Sequence, residues 1–374
     1  MTTSTRRTRS ISTTAEPIVT AALIARDEQE HLPRCLASIV DLVDEIVVVD
    51  TGSSDGTVAI ARAYGAKVVE TTWDDDFAAA RNVALAHAAG RWILSIDADE
   101  WVAPISRANL HAQLGDGGAY RVLLRPARGH TPYRECRLFR NLPRTRFEGR
   151  IHERVLPSLA GLGVGTCDLL IEHAGYEGTR QAKAGRDLPL LEAHVASKPD
   201  DVDQWRRLAD AAAVTGDAIR ARDAYERAVR LAGGETSAAA SLAFAGLAHF
   251  LFAAGEDVDE LLTESLERFP GNHLLTWLRA RVEVSRGNDG EALAWFERLA
   301  AVDLDGLAEA GISYDERLFD VVAHAGAGGC LFRLGRYEES AAAYAQAAAV
   351  APDDLEIRAK AALATARARR PVAA

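Results

Sequence analysis

Apolar and polar positions alternate in blocks along the first part of the chain. Residues 18–25, IVTAALIA, form an apolar run suited to a buried strand. Asp27 and Glu28 follow, and Leu32, Leu36, Ile39 and Val40 then recur at helical spacing. Residues 45–49, EIVVV, are rich in β-branched side chains and end at Asp50. The turn TGSSDG at 51–56 leads into a predicted helix from Thr57 to Tyr64, then a short strand over Lys67–Glu70. Phe77–Ala89 reads as an alanine-rich helix, and Trp92–Ile96 as an apolar strand ending in Asp97, Asp99 and Glu100. This alternation predicts right-handed crossovers and a parallel α/β sheet. Acidic residues fall at the C-terminal ends of two strands, the edge where open α/β sheets bind ligands. Residues 119–175 are less regular. Tyr120–Leu124, Cys136–Phe139 and Leu169–His173 read as strands, and Phe147–Glu153 as a loop running into another strand. Lys198-Pro199-Asp200 marks the end of the α/β part.

Beyond residue 200 the pattern changes to alanine-rich helices with a regular spacing. One unit carries Trp205, Leu208, Ala209, Ala221, Tyr225 and Ala228. A second has Leu242, Gly246, Leu262, Ser265 and Pro270, and a third has Ala280, Ala292, Phe296 and Leu299. A fourth has Gly328, Leu331, Ser340, Tyr344, Ala347 and Pro352. The equivalent positions Tyr225, Leu262, Phe296 and Tyr344 are 37, 34 and 48 residues apart. The first two intervals fit the helix-pair unit of tetratricopeptide repeats, about 34 residues. The last implies an insertion around 303–316. Such pairs stack into a small solenoid.

Charge sharpens the division. The chain has 374 residues and a net charge of −11. Residues 201–374 hold 28 acids against 19 bases, and residues 1–200 hold 26 against 24. The acidity therefore belongs to the helical half, which raises the expectation of a groove that takes a cationic peptide. It argues against nucleic-acid binding, which needs a basic face. No apolar run reaches membrane-spanning length. Cys35, Cys136, Cys167 and Cys330 show no metal-binding spacing and read as reduced thiols. Residues 1–16 lack the apolar core of a secretory signal and read as a disordered tail, so a cytoplasmic location is the default expectation.

The strongest chemical signal is Asp97-Ala98-Asp99 at a strand exit. Carboxylates two residues apart on a strand share a face. There they suit a hard divalent cation, Mn²⁺ or Mg²⁺, which bridges to substrate phosphates. A solvated acidic turn is the competing reading. No GxGxxG follows the first strand and no P-loop is present, which disfavours dinucleotide oxidoreductases and P-loop enzymes. Residues 24–34 also lack the Gly-rich basic loop expected of a nucleotidyltransferase.

Longer motifs carry more weight. ALIARDEQEHLPRCLASI, DEIVVVDTGSSDGTVAIARAYGAKVV, FAAARNVALAHAAGRWILSIDADEW, RFEGRIHERV and IEHAGY occur in this order. With them the chain resembles family-2 glycosyltransferases of the GT-A fold over most of 17–190. The repeats add a similarity to a subgroup that includes glycocin-type peptide S-glycosyltransferases. The resemblance implies a GT-A domain over 17–195 and a tetratricopeptide domain over 200–370. It implies metal-dependent, inverting transfer of a sugar from a nucleotide-diphosphate donor, with UDP as the expected nucleotide. The acceptor would be a peptide or protein side chain. Alternatives are a cell-envelope saccharide or small metabolite as acceptor, with the repeats serving dimerisation, and an inactive scaffold. By the same resemblance, Asp50 recognises the nucleobase, and Ala25, Arg26 and Asp27 line the nucleotide site. The family usually has Asn where this chain has Asp27. Arg81, next to Asn82, contacts the pyrophosphate or base. Asp97 and Ala98 lie along the donor, Asp99 and Asp97 ligate the metal, and Glu153 is the general base. His173 is the late metal ligand, with His152 as its competitor. Lys183 and Arg186 are candidates for steadying the diphosphate, and Trp101 for stacking on sugar or acceptor.

Overall fold

The computed structural model describes residues 18–175 and 180–369. The tail expected at 1–16 and Tyr176 of the IEHAGY motif lie outside them. Two compact units are present. One holds residues up to Leu124 with Glu135–Ala174, and the other holds Arg125–Arg134 with residues from Gly175 onward.

The first unit is built on a mixed sheet with strand order β3-β2-β1-β4-β7-β6-β8-β5. Its strands are β1 (Val19–Ala25), β2 (Glu45–Asp50), β3 (Lys67–Glu70), β4 (Trp92–Ser95), β5 (Glu100–Val102), β6 (Ala119–Arg125), β7 (Tyr133–Arg140) and β8 (Val164–His173). Strands β3, β2, β1 and β4 are parallel, as the alternating pattern predicts. Beyond them β4 pairs β7 and β5 pairs β8 antiparallel. The sheet register sets Ala25 beside Asp50, and Ala22 beside Ser95. The loops leaving β1, β2 and β4 therefore emerge side by side.

Helices α1 (Leu32–Ile39), α2 (Thr57–Ala63), α3 (Phe77–His87) and α4 (Arg107–Gln113) complete this unit. Leu32, Cys35, Leu36 and Ile39 of α1 are buried, the stripe that their spacing predicts. Asp76 caps α3 by accepting from Ala79 N at 2.9 Å. Trp92 is buried in β4, with Tyr120 and the Arg140 guanidinium against it. The segment after Glu153 is not the strand expected. It closes on itself through a bridge between Glu148 and Arg154, then enters a 3₁₀ turn over Leu156–Leu159 that Pro157 favours.

Gly90 locks the entry to β4. Its N–H donates to Thr20 Oγ1 at 2.8 Å, and a Cβ built there would lie 2.6 Å from Thr20 N. Thr20 is the first interior residue of β1 and cannot move without disturbing the parallel ladder. Gly90→Ala should therefore cost about 1–3 kcal/mol of stability by overpacking. Urea unfolding of the two proteins tests this, and an unchanged midpoint would contradict it.

The second unit is helical: α5 (Arg180–Ser197), α6 (Val202–Thr215), α7 (Ala218–Ala232), α8 (Ala238–Ala253), α9 (Asp259–Arg268), α10 (His273–Ser285), α11 (Asp289–Ala300), α12 (Val321–Arg333), α13 (Tyr337–Val350) and α14 (Leu355–Ala368). Side-chain caps from Asp201, Asp217, Ser237 and Asp354 start four of these helices. The repeat aromatics pack on small residues: a Cβ on Gly246 or Gly326 would overlap the ring of Tyr225 or Phe296. The long interval before Tyr344 is filled by 3₁₀ turns at Leu304–Ala310 and Glu316–Leu318. Leu307 and Leu318 of these turns, with Ile312 and Tyr314 between them, enter the core. Thr131 N donates to Tyr314 O at 2.8 Å, and Thr131 Oγ1 accepts from Tyr314 N at 2.9 Å. The inserted segment thereby anchors the Arg125–Arg134 connection within this unit.

Candidate active site

Three polar clusters stand at the C-terminal ends of β1, β2 and β4. The first is the β1–β2 edge. Asp50 is buried and accepts from Gly52 N at 3.1 Å, Ser53 N at 3.0 Å and Ser53 Oγ. Asp27 has φ 54° and accepts from Ser54 N at 2.7 Å, while its own N–H donates to Ser53 Oγ. Asp27 thus makes a specific contact where the family's Asn would stand. The two acids stitch TGSSDG to the end of β1. Ala25 is buried and Arg26 exposed beside them.

The second cluster centres on Arg81, buried in α3. Its Nε donates to Glu153, its Nη2 to Asp97 Oδ1 at 2.5 Å, and its Nη1 to Ser95 Oγ at 3.3 Å. Arg137 of β7 completes the group, reaching Glu100 Oε1 at 3.0 Å and Asp97 Oδ2 at 3.5 Å. Glu100 returns to the Asp97 N–H at 2.8 Å. Burial alone would raise the Asp97 carboxyl, but Arg81 and Arg137 hold it well below the usual carboxylate range. Burial pushes Glu100 up to about 7. Asn82 explains how Glu153 arrives there. Its amide donates to Phe147 O at 3.0 Å and accepts from Phe147 N at 2.8 Å, and Phe77 N donates to Arg150 O. The loop bearing Glu153 is thus bound to the helix bearing Arg81. Gly149 (φ 107°) and His152 (φ 51°) give that loop its tight curvature.

The third cluster is Asp99 with His173. Antiparallel pairing of β5 and β8 sets Glu100 opposite His173. His173 Nε2 lies 3.1 Å from Asp99 Oδ2, and this contact raises the imidazole pKa. Glu28 faces the same group. Burial first, then Asp99, pushes its carboxyl up to about 7. The Ala98 methyl between the two aspartates is buried.

The expected residues thus come together as Arg81–Asp97–Glu153 and Asp99–His173. The pattern of residue types did not single out Arg137 or Glu28, and it gave Glu100 only as a member of the acidic strand exit. Trp101 has one face covered by the Arg34 guanidinium, 3.2 Å from its ring centroid. Arg186 and Lys183 stand on α5 in the second unit, where Arg186 pairs with Asp187. Among the described residues, no three His, Cys, Asp or Glu side chains are set to hold a metal by themselves.

Residues 20–171 match the Glycosyl transferase family 2 profile. They are a family-2 glycosyltransferase domain. The helices after this glycosyltransferase domain are tetratricopeptide-like. The chain is 43% identical over 198 residues to a TPR repeat-containing protein of Synechococcus elongatus, covering 49% of each. It is 26% identical over 197 residues to the SPbeta prophage-derived glycosyltransferase SunS of Bacillus subtilis, covering 50% of this chain and 47% of SunS. It spans about half the length of these relatives. The structure of S. aureus TarS 1-349 aligns at 13% identity with a TM-score of 0.38, covering 67% of this chain and 91% of that fragment. No described helix is long and apolar enough to cross a membrane.

Proposed function

We propose that the chain transfers a sugar, with inversion, from a UDP-linked or related nucleotide-diphosphate donor to a peptide or protein side chain. The observation that carries this reading is the grouping of Arg81, Asp97, Asp99, Glu153 and His173 at the β4 edge of a family-2 domain. The donor's nucleotide would lie over Ala25–Asp27 and Asp50, with Asp97 and Ala98 along its sugar and phosphates.

The residues fit a divalent cation. Asp99 and His173 converge with oxygen and nitrogen ligands, and the half-buried Glu28 adds acid density that a cation relieves. Asp97 is already shared between two guanidiniums, so its part is to position the site. Asp99 and His173 would then hold Mn²⁺ or Mg²⁺, hard cations suited to a phosphate-bearing donor. Such an ion, when bound, neutralises charge on the departing diphosphate.

Glu153 is the candidate base. As the anomeric carbon leaves its phosphate oxygen, the acceptor's oxygen or sulfur bonds to it and loses its proton to Glu153. Arg81 fixes the direction of that carboxylate, and Asn82 fixes the loop that carries it.

A screen of UDP-, GDP- and dTDP-sugars tests the reading. Nucleoside diphosphate release with Mn²⁺, and a Mn²⁺-dependent thermal shift with UDP, are expected. A protein that binds and hydrolyses none of these donors would be a scaffold instead.

A further inference from the structure

We propose that a groove in the helical unit docks an extended peptide segment in which acidic residues stand beside apolar ones. The groove has a volume of about 660 Å³ and is lined from α8, α10, α12 and α14, with Phe296 of α11 and Tyr344 of α13 at its floor. Its charged lining is Arg281, Arg333 and Lys360, and no carboxylate lines it among the described residues. The helical half is acidic as a whole, yet the charged side chains that line this groove are all cations. That reverses the expectation of a cationic ligand drawn from net charge. The acids stand outside the groove, where Asp289 pairs with Arg333 and Glu356 with Lys360.

Arg281 carries the recognition. Its guanidinium stacks over Trp277 at 4.9 Å and Phe252 at 5.2 Å from the ring centroids. Among the described residues it makes no ion pair. A cation held in place by aromatic faces is set to receive a carboxylate without first giving up another. The surrounding Phe252, Phe332 and half-exposed Leu363 offer an apolar side chain its seat.

The glycines of α12 point to a polypeptide backbone. Gly326 and Gly328 are explained by Phe296 and Tyr344, whose rings a Cβ would meet. Gly329 is not. A Cβ there would make only ordinary contacts, with Tyr344 Oη at 3.4 Å and Arg333 Nη1 at 3.5 Å. A mid-helix glycine that packing does not require weakens its helix, and it leaves bare backbone for another chain to approach. A nucleic acid fits less well, because the chain's net charge of −11 opposes a dense polyanion.

The inference does not depend on the transfer reaction, because binding is read directly. The full chain is titrated into a fluorescein-labelled peptide alternating Asp or Glu with Leu or Phe. The comparison is a twin with Lys at each acidic position. The acidic peptide should bind about tenfold or more tightly than its twin, and weaken as salt rises. Arg281→Glu should reduce its affinity about tenfold or more. Gly329→Ala should also weaken binding while its Tm stays at or above that of the parent, which separates a blocked groove from a damaged fold. Equal binding of the two peptides, unchanged affinity in both variants, preference for a single-stranded oligonucleotide, or no binding would each overturn the proposal.

Discussion

Arg81→Leu is expected to lower the free energy of unfolding by about 3–5 kcal/mol, the cost of stripping the partner from buried charge. Arg81 is itself buried, and it forms an ion pair with a Glu153 side chain that is 9% exposed. Leucine replaces the methylenes but none of the donors to Glu153, Asp97 and Ser95. Arg137 retains part of Asp97 through the longer 3.5 Å contact, so Glu153 is left the worse placed. The sign of the pH dependence follows. Asp97 has a folded pKa below its unfolded value of 3.8, so its stabilisation is present above that value and is lost as pH falls. The gap between parent and variant should therefore narrow on acidification. Urea unfolding at neutral pH and at about pH 3, below that unfolded value, measures both effects. A neutral-pH loss under about 1 kcal/mol would mean that Arg81 is not the charge holding these carboxylates.

The parts of this site that were legible in the sequence share a physical cause. Asp50 and Asp97 each follow an apolar run, and an acid that ends a buried strand must lie at its solvent edge. Arg81, Asp97 and Glu153 were named through family motifs, but their mutual contact was not readable, because α3, β4 and the 147–153 loop meet only in three dimensions. Arg137 was missed for the same reason. It stands in β7, whose antiparallel pairing to β4 reverses the chain and carries its side chain to Glu100 and Asp97. No spacing along the sequence encodes that reversal. Asn82 was legible as part of Ala-Arg-Asn but not in its work, which is to hydrogen-bond both backbone groups of Phe147. In the helical unit the interval of 48 residues disclosed an insertion. It did not disclose that Tyr314 would be buried, nor that Thr131 would be its partner. Helix periodicity reports a face, whereas such pairings depend on which distant segment meets it.

Asp99→Asn should leave the fold intact and reduce sugar transfer by about 10²–10³-fold, the scale for losing one group that stabilises developing charge. The structural side of this expectation rests on what Asp99 touches. Its side chain is 30% exposed and meets His173 at 3.1 Å, and the strand register there is kept by backbone bonds such as Ala174 N to Asp99 O. Asparagine keeps the shape and one acceptor, so Tm should change little. The chemical side rests on charge. The amide is a poor ligand for a hard cation, and the negative charge that pairs with His173 is gone. Removing that charge also relieves Glu28, whose carboxyl Asp99 helps to push up. Affinity for Mn²⁺ in the presence of UDP should fall together with transfer, and binding of UDP alone should fall less. Transfer and UDP-dependent Mn²⁺ binding are measured alongside a thermal melt. Near-normal transfer by the variant would remove Asp99 from the reaction. Loss of transfer with a large drop in Tm would reassign it to holding β5 against β8. A loss of metal binding with an unchanged melt is the combination that places Asp99 and His173 at the donor's phosphates.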